Sequence, residues 1–408
     1  MAAGLCIFAV IGGTVDISAD RSWSCYPDGL QPTRRAFLKT LAAAAAAAGT
    51  SLPVTTSGQE GSPVSEPLPS FPPGGFPEGS TQLNYNENPL GPSKKVISAL
   101  LESRFAEANR YNYIDGLIES IANHHRMPSN NVLVGCGSTE FLQFTPWAFL
   151  RDGGNLVMPI PSYGWSGMVA ATMGRRVIRV PLGERGVVDT ARMKNAIRRD
   201  TRIVYLANPN NPTGAPIPHE EIVALAEAVP PGAVLMVDQA YHDFLPDGDL
   251  AFDLVRSGVP ILILRTFSKA YGMAGLRLGY AIGSDSVLSR LRSVWWGDLG
   301  INTATRIAGP VALADQKHVQ RYIKLINQGL IQLRSGLIDL GMDPYPYHAP
   351  FFMVDFRRPT MDLVRSLYER RIYVRPGRVW NMPNFMRISV GTADDNITFL
   401  QAIRELLS

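Results

Sequence analysis

This chain has few cysteines and a small net charge. Only three of its 408 residues are cysteine, and the formal net charge is +4 at pH 7. No dense block of lysine and arginine follows the N-terminal region, so the electrostatic signature of a nucleic-acid-binding protein is missing. Apart from an alanine-rich tract near the start, no uninterrupted apolar run reaches the length of a membrane span. The length and the 46% apolar fraction indicate a globular protein with a large core and two domains.

The N-terminal residues 1–49 predict an export signal. Thr33-Arg-Arg-Ala-Phe-Leu-Lys39 precedes a tract of seven alanines and then Gly49-Thr-Ser51, which is the order of basic, apolar and small residues in a secretory signal. The paired arginines resemble those of the twin-arginine route. We therefore expect a periplasmic protein without a stable membrane anchor after cleavage. An alanine-rich helix at the N-terminus of a cytoplasmic protein is the alternative.

Cleavage of that signal would leave one cysteine. Cys6 and Cys25 lie within the predicted signal, and Cys136 is the cysteine beyond it. A disulfide within one chain is then excluded, even in an oxidising compartment.

The rest of the chain divides into a linker and two predicted domains. Residues 50–82 are rich in proline, glycine and serine, which is typical of a linker or an extended N-terminal arm. From residue 83, short apolar runs alternate with amphipathic stretches, and this rhythm predicts a mostly parallel sheet covered by helices on both faces. The runs are Val132–Val134, Leu156–Met158, Val177–Val180, Ile203–Leu206, Val234–Val237 and Ile261–Leu264.

The pattern changes after Ile282. A long helical stretch from Asn302 to Leu340 is followed by strand-like Phe351–Val354 and Met386–Ser389, and a helix ends at Leu407. We predict a large domain over residues 83–295 and a small α+β domain over residues 296–408.

The segment from Arg265 to Tyr280 places Lys269 just after a buried-looking strand. A lysine in partly apolar surroundings has a lowered pKa and can react as a neutral amine. Such an amine forms a Schiff base with an aldehyde, and the aldehyde that enzymes use in this way is pyridoxal phosphate. The hydroxyls of Thr266 and Ser268, with Arg277, are candidates to bind its phosphate. The structural alternative is a solvated lysine at a strand end and an arginine in a surface ion pair.

Two further candidate segments follow strands of the predicted sheet. Gly135-Cys-Gly-Ser-Thr-Glu140 follows a strand and opens a helix, so its backbone N–H groups and the hydroxyls of Ser138 and Thr139 can hold a phosphate. Ordinary capping by Ser and Thr is the alternative. In Asn208-Pro-Asn-Asn-Pro-Thr-Gly214, two X-Pro bonds restrict the loop, and Asn211 can donate its amide to a ligand oxygen.

A carboxylate follows the next strand. Asp238, at the end of Val234–Val237, needs a cationic partner or good hydrogen bonds if it is buried, and the protonated pyridine nitrogen of pyridoxal phosphate is such a partner. Tyr241 follows Asp238 by three residues and could hydrogen-bond the hydroxyl group of the same ring, alongside Asn211. A helix N-cap is the alternative role of Asp238.

Arg387 and Tyr163 complete the set of candidates. A guanidinium binds a carboxylate through two parallel hydrogen bonds, so Arg387 on a strand of the small domain suits an amino-acid substrate. Tyr163 can stack on a pyridine ring. A strand-edge arginine and a core aromatic residue are the alternatives.

Together these segments make residues 83–408 resemble a fold-type I pyridoxal-phosphate-dependent aminotransferase of class I/II, nearest to the histidinol-phosphate aminotransferase-like branch. The resemblance rests on Asn86-Glu-Asn-Pro-Leu-Gly91, Arg110-Tyr111, Pro161-Ser-Tyr163, Val374-Arg-Pro376 and the segments above. It implies a mostly parallel seven-stranded sheet sandwiched by helices and a small C-terminal α+β domain. Leu90 departs from it, because an aromatic residue is usual there in the histidinol-phosphate enzymes. The tyrosine of Arg110-Tyr111 also lacks the proline that usually follows.

The resemblance also implies residue roles. Lys269 forms the Schiff base and moves the proton, Asp238 holds the pyridinium, and Tyr163 stacks on the ring. Tyr111 would reach the phosphate in a neighbouring subunit, so a homodimer with shared active sites is implied. The implied phosphate and ring contacts are Gly137, Ser138, Thr139, Thr266, Ser268, Arg277, Asn211 and Tyr241. The implied substrate contacts are Asn88, Arg375 and Arg387; no metal site is predicted.

The predicted activity is amino transfer between an amino acid, or an amino-alcohol phosphate analogue, and a 2-oxo acid. The same residues serve a decarboxylase, a lyase or an oxidase, so these outcomes stay open. A non-catalytic protein that binds pyridoxal phosphate is the second alternative.

Overall fold

The computed structural model describes residues 72, 75–103, 105, 108–111, 113–245, 251–295 and 297–408. The predicted signal over residues 1–49 lies outside these residues, as does most of the predicted linker. The strands are β1 Thr81–Leu83, β2 Val132–Gly135, β3 Asn155–Ile160, β4 Arg176–Pro181, β5 Thr201–Ala207, β6 Val234–Asp238, β7 Ile261–Thr266, β8 Gly279–Gly283, β9 Asp343–Pro344, β10 Phe351–Asp355, β11 Ile372–Pro376 and β12 Phe385–Ser389.

The α-helices cover both faces of the larger sheet and complete the C-terminal part. They are α1 Lys94–Ser103, α2 Asp115–His125, α3 Ser138–Leu150, α4 Trp165–Thr172, α5 Thr190–Ala196, α6 His219–Ala228, α7 Phe252–Arg256, α8 Asp285–Arg292, α9 Thr303–Ala314, α10 Gln316–Asp339, α11 Met361–Glu369 and α12 Ala393–Leu407. Among the described residues, no helix combines the length and the apolar character needed to cross a bilayer.

A seven-stranded sheet in the order β2-β8-β7-β6-β5-β3-β4 forms the centre of the fold. The strands β4, β3, β5, β6 and β7 run parallel, and β8 is antiparallel to both of its neighbours. Successive residues of β7 point to opposite faces, so Ile261 and Ile263 join one apolar cluster and Leu262 and Leu264 the other. Burial on both faces explains the continuous apolar runs and confirms the predicted sheet.

A five-stranded sheet in the order β1-β11-β12-β10-β9 lies in the C-terminal part. Its first strand comes from residues 81–83, which pair in parallel with residues 372–374. The predicted linker therefore ends in a strand at residues 81 and 82. The strand ends at the buried Leu83. Two residues later, the backbone carbonyl of Tyr85 accepts a hydrogen bond from Lys269.

The predicted helical stretch from Asn302 to Leu340 is two helices, α9 and α10. The break falls at Asp315, whose backbone angles are φ −97° and ψ 56°. Its buried carboxylate forms an ion pair with Lys95 on α1, with Nζ 3.3 Å from Oδ1. The apolar periodicity continues through the break, which is why the sequence pattern does not show it.

Candidate active site

A cavity of about 410 Å³ opens at the carboxyl ends of the parallel strands, which is where open α/β sheets bind ligands. Most of the candidate residues line it, although they come from distant parts of the sequence. These residues are Ser138, Thr139, Tyr163, Asn211, Asp238, Tyr241, Thr266, Ser268, Lys269 and Arg277. No group of three or more His, Cys, Asp or Glu residues that could hold a metal ion occurs in the described part of the chain.

We call Gly137, Ser138, Thr139, Thr266, Ser268 and Arg277, at one end of the cavity, the cradle. Two glycines make room for it. Gly137 precedes α3 with φ 78°, and a Cβ added to it would lie 2.4 Å from Nη2 of Arg277. A Cβ on Gly279 would lie 2.1 Å from the backbone nitrogen of Ser138. Because Gly137 has no side chain to cap α3, the first N–H groups of that helix suit a bound anion.

Hydroxyl groups and a guanidinium face the same end. The Thr266 hydroxyl donates to Oγ of Ser268 at 3.0 Å, and Nη1 of Arg277 donates to the same oxygen at 3.3 Å. Arg277 follows a short 3-10 turn with φ 61°. These donors and the helix N-terminus fit a phosphate group.

Asp238 is a buried carboxylate at the end of β6. Its Oδ1 accepts a hydrogen bond from the backbone N–H of Ala240 at 3.1 Å. Burial raises the pKa of Asp238 to about 6, although this N–H and the charge of Lys269 act in the opposite direction. Among the described residues, no basic side chain forms an ion pair with it. A buried carboxylate of this kind fits the protonated nitrogen of a pyridine ring.

Lys269 extends into the cavity from the turn after β7. Its Nζ donates to the backbone carbonyl of Tyr85 at 2.9 Å and lies 5.6 Å from the centre of the Tyr241 ring. Burial lowers the pKa of Lys269 to about 8, and the charge of Arg387 adds to this effect. The neutral, nucleophilic amine is therefore a minor form of about a tenth at pH 7, far more than a lysine with the ordinary pKa would supply.

Asn211 is held towards the cavity by the loop that carries it. The side chain of Asn208 fixes this loop, because it bonds the N–H of Ile217 at 2.9 Å and its carbonyl at 3.2 Å. Oδ1 of Asn211 accepts from Nη1 of Arg387 at 2.7 Å. This bond leaves the Asn211 amide nitrogen as its donor group, and donation to a ligand oxygen stays a prediction.

Arg387 lies behind Asn211, outside the lining of the cavity. Its Nη2 donates to the backbone carbonyl of Asn84 at 2.5 Å, and the guanidinium lies against the rings of Phe351 and Trp380 at 5.3 and 5.4 Å. Burial lowers the pKa of Arg387 to about 10. Within the described residues no carboxylate pairs with this buried cation, which suits an anionic substrate group.

Of the other candidates, only Tyr163 lines the cavity. Tyr163 lines the cavity half-exposed, and burial raises its pKa. Asn88 donates to the backbone carbonyl of Ala270 at 3.2 Å and does not line the cavity. Arg375 stands opposite Arg387 in the pairing of β11 with β12. Tyr111 is 86% exposed and lies outside the cavity.

Three consecutive residues near the cavity were not among the candidates. Tyr85 and Glu87 line it, and Asn86 bonds the Tyr241 hydroxyl. The segment that contains Asn86 and Glu87 carries part of the family resemblance, but the sequence does not show which of its side chains turn inwards. That orientation depends on the pairing of β1 with β11, which has no local sequence signal.

Comparisons with known proteins agree with this geometry. The model of the family "Aminotransferase class I and II" matches residues 78–403. A histidinol-phosphate aminotransferase from Symbiobacterium thermophilum is 35% identical over 80% of this chain and 90% of its own length. The crystal structure of histidinol-phosphate aminotransferase from Sinorhizobium meliloti in complex with pyridoxal-5'-phosphate is similar with a TM-score of 0.74 at 25% identity, and covers 80% of this chain and 90% of that chain.

A more distant structure shares the fold alone. It is the L-threonine-O-3-phosphate decarboxylase from Porphyromonas gingivalis, with a TM-score of 0.71 at 20% identity over 80% of this chain and 98% of that chain. The family match, the relatives and a cavity whose cradle, buried carboxylate and lysine fit pyridoxal phosphate lead to one conclusion. The chain belongs to the class I and II aminotransferases and is a pyridoxal-phosphate-dependent aminotransferase.

Proposed function

We propose that Lys269 carries the covalent chemistry and the proton transfer of this aminotransferase. When bound, pyridoxal phosphate supplies an aldehyde that condenses with amines and a ring that withdraws electrons from the substrate α-carbon. Lys269 Nζ, as a neutral amine, would accept the proton from the substrate α-carbon and donate it to the carbon of the cofactor's former aldehyde group. Asp238 would keep the pyridine nitrogen protonated, and Asn211 and Tyr241 would bind the ring hydroxyl. The observation that carries the proposal is that Lys269 and Asp238 line one cavity.

We propose the remaining roles from the family resemblance and the positions of the residues. The cradle of Gly137, Ser138, Thr139, Thr266, Ser268 and Arg277 would bind the phosphate, and Tyr163 would stack on the ring. Arg387 would orient the carboxylate of an amino acid, or the equivalent group of an amino-alcohol phosphate, so that the α-hydrogen points at Lys269. Asn88 and Arg375 stay predicted substrate contacts.

We propose amino acids and amino-alcohol phosphates as the donors. The Symbiobacterium thermophilum relative is named for histidinol phosphate, which supports the phosphate class, because a guanidinium binds phosphate and carboxylate equally well in geometry. Leu90 is 42% exposed and stands where the resemblance places an aromatic residue. Its smaller, non-aromatic surface supports testing ordinary amino acids beside the phosphate class.

The test is a donor screen on protein loaded with pyridoxal phosphate. Each donor is incubated with 2-oxoglutarate or pyruvate, and the product amino acid is measured by chromatography. Lys269→Ala should abolish both the product and the visible absorbance of the bound cofactor, whereas Lys317→Ala, at an exposed lysine of α10, should change neither. Ammonia or carbon dioxide without a product amino acid would support a lyase, an oxidase or a decarboxylase instead.

We also propose export by the twin-arginine route to the periplasm. The support is the sequence Thr33–Lys39 with its alanine tract. A full-length protein with a C-terminal tag should appear in the periplasmic fraction in a shortened form. Replacing Arg34 and Arg35 by lysine should retain it in the cytoplasm at full length. An equal distribution of both proteins would contradict export by this route.

We further propose a homodimer that shares its active sites. Tyr111 and Tyr113 are 86% and 88% exposed in the single chain, and large exposed aromatic side chains often mark an interface. If Tyr111 reaches the phosphate in the neighbouring subunit, Lys269→Ala and Tyr111→Ala subunits should complement each other. Their hybrid dimer holds one complete site, so mixing the two inactive proteins under exchange conditions should restore activity. No recovery in verified hybrids would contradict shared sites.

A further inference from the structure

A buried chain of hydrogen bonds connects the five-stranded sheet to the cavity through Asn86. The backbone N–H of Asn86 donates to Oγ of Ser389 at 2.9 Å, and the Ser389 hydroxyl donates to Oδ1 of Asn86 at 2.8 Å. Nδ2 of Asn86 donates to the Tyr241 hydroxyl oxygen at 3.0 Å. Asn86 and Ser389 are each 1% exposed, and Tyr241 is 7% exposed.

The direction of every bond in this chain follows from its first member. A backbone N–H can only donate, so Oγ of Ser389 must accept from Asn86, and its single hydrogen is free for another acceptor. That hydrogen bonds Oδ1 of Asn86, which turns Nδ2 towards Tyr241. An amide NH₂ can only donate as well, so the Tyr241 oxygen accepts from it. The hydrogen of the Tyr241 hydroxyl then remains, and among the described residues it has no acceptor.

We propose that Asn86 and Ser389 are positioning residues that make the Tyr241 hydroxyl a hydrogen-bond donor towards the ring oxygen of the bound cofactor. The inference rests on the proposed role of Tyr241 beside that oxygen. It agrees with the backbone of Asn86, which has φ 56°. Asparagine adopts this left-handed conformation more readily than most other residues, and contacts that hold it there offset the remaining strain. The three hydrogen bonds to Ser389 and Tyr241 are such contacts.

The consequence is a shift with a definite sign. A hydrogen bond donated to the ring oxygen favours negative charge there, and so favours the deprotonated form of the bound cofactor. Losing the donor should raise the midpoint pH of the cofactor's visible-absorbance change by about one unit, since a hydrogen bond to a charged group contributes an energy of that order.

Other groups around Tyr241 stay constant in such a comparison. Phe351 packs against its ring at a centroid distance of 4.8 Å. The charged side chains that act on Tyr241 or lie over its ring are Asp238, Arg387 and Lys269. The titratable hydroxyls coupled to it are Tyr163, Tyr205 and Tyr322. None of these residues is itself substituted in the Ser389 and Asn86 variants.

The experiment is a double-variant cycle on protein loaded with pyridoxal phosphate. Absorbance is titrated against pH for the wild type, Tyr241→Phe, Ser389→Ala and the Tyr241→Phe/Ser389→Ala double variant. Tyr241→Phe sets the full shift. Ser389→Ala should move the midpoint in the same direction, because the Asn86 amide is no longer locked, and should add nothing in the Tyr241→Phe background. Asn86→Ala removes the amide that donates to Tyr241 and is expected to give the same shift.

The outcomes separate this inference from the proposed function. A wild-type midpoint in both Ser389→Ala and Asn86→Ala would overturn the inference, and so would a further shift by Ser389→Ala in the Tyr241→Phe background. A purely structural role would lower the thermal unfolding temperature and leave the midpoint unchanged. If Lys269→Ala retained the absorbance, the proposed role of Lys269 would fall instead, and the comparison of Ser389→Ala with Tyr241→Phe would still stand by itself.

Discussion

Asp243→Asn tests a buried ion pair that lies behind the cavity. Nη2 of Arg265 lies 2.6 Å from Oδ1 of Asp243, and the two side chains are 6% and 15% exposed. Burial alone disfavours the guanidinium charge, but Asp243, with Tyr280 and Tyr271, outweighs it and raises the pKa of Arg265. Asp243 follows Tyr241 by two residues, and Arg265 precedes Thr266, so the pair connects the β6 and β7 ends of the site.

The size of the effect follows from what each variant leaves buried. Removing one partner of a buried pair costs about 3–5 kcal/mol, because the other charge stays buried without compensation. Asparagine keeps one oxygen that can accept from Arg265, so we expect a loss near the lower end, about 3 kcal/mol of unfolding free energy. In Asp243→Asn/Arg265→Met both charges are gone, and replacing such a pair by an apolar side chain is often about neutral.

The assay is urea unfolding followed by circular dichroism at equal, saturating concentrations of pyridoxal phosphate. The single variant should unfold at clearly lower urea than the wild type, and the double variant should return towards it. A single variant within about 1 kcal/mol of the wild type would refute the argument that the Arg265 charge depends on Asp243. A double variant as unstable as the single one would show that packing, and not the unpaired charge, sets the cost.

Three other substitutions test the cavity. Gly137→Ala should weaken cofactor affinity by about tenfold or more in a fluorescence titration, because its Cβ would lie 2.4 Å from Nη2 of Arg277, whereas Gly116→Ala, with no atom within 4 Å, should leave it unchanged. In cofactor-free protein, Lys269→Met should raise the melting temperature at pH 7. Since the pKa of Lys269 is lowered from 10.5 to about 8, its charge costs stability below pH 8, and the gain should vanish as the pH rises to 10.5. Asp238→Asn should also stabilise cofactor-free protein at pH 7, because burial raises the pKa of Asp238 from 3.8 to about 6 and its charge therefore costs stability above pH 6. This gain should shrink as the pH falls from about 6 to 3.8, where the carboxyl becomes protonated in both the folded and the unfolded state. A gain that does not change with pH would contradict either linkage argument, and unchanged cofactor affinity in Asp238→Asn would contradict its pairing with the pyridine nitrogen.

Local sequence signals explain why much of the larger sheet and its chemistry is predictable. A strand buried on both faces must be apolar throughout, so β5, β6 and β7 are visible as continuous runs. The polar residues that follow those runs meet at one edge because parallel strands end together. This geometry brings Asn211, Asp238 and Lys269 into one cavity.

Non-local pairing explains what the sequence does not show. The pairing of Thr81–Leu83 with Ile372–Val374 joins residues that are far apart in the chain, and no local pattern marks it. Asn84, Asn86 and Asn88 are chemically identical, and the sequence predicts only Asn88 as a contact. The structure turns Asn86 inwards because its left-handed backbone and Ser389, on another strand, orient it.

The two sheets jointly set the proton affinity of Lys269. The larger sheet carries Lys269 and Asp238, and the smaller one carries Arg387, whose charge is the second cause of the lowered Lys269 pKa after burial. An anionic substrate group bound at Arg387 would offset that positive charge, and the pKa of Lys269 would rise while the substrate is present. We therefore expect the proton affinity of the free Lys269 amine to rise when an anionic group binds at Arg387, which makes Nζ a better proton acceptor.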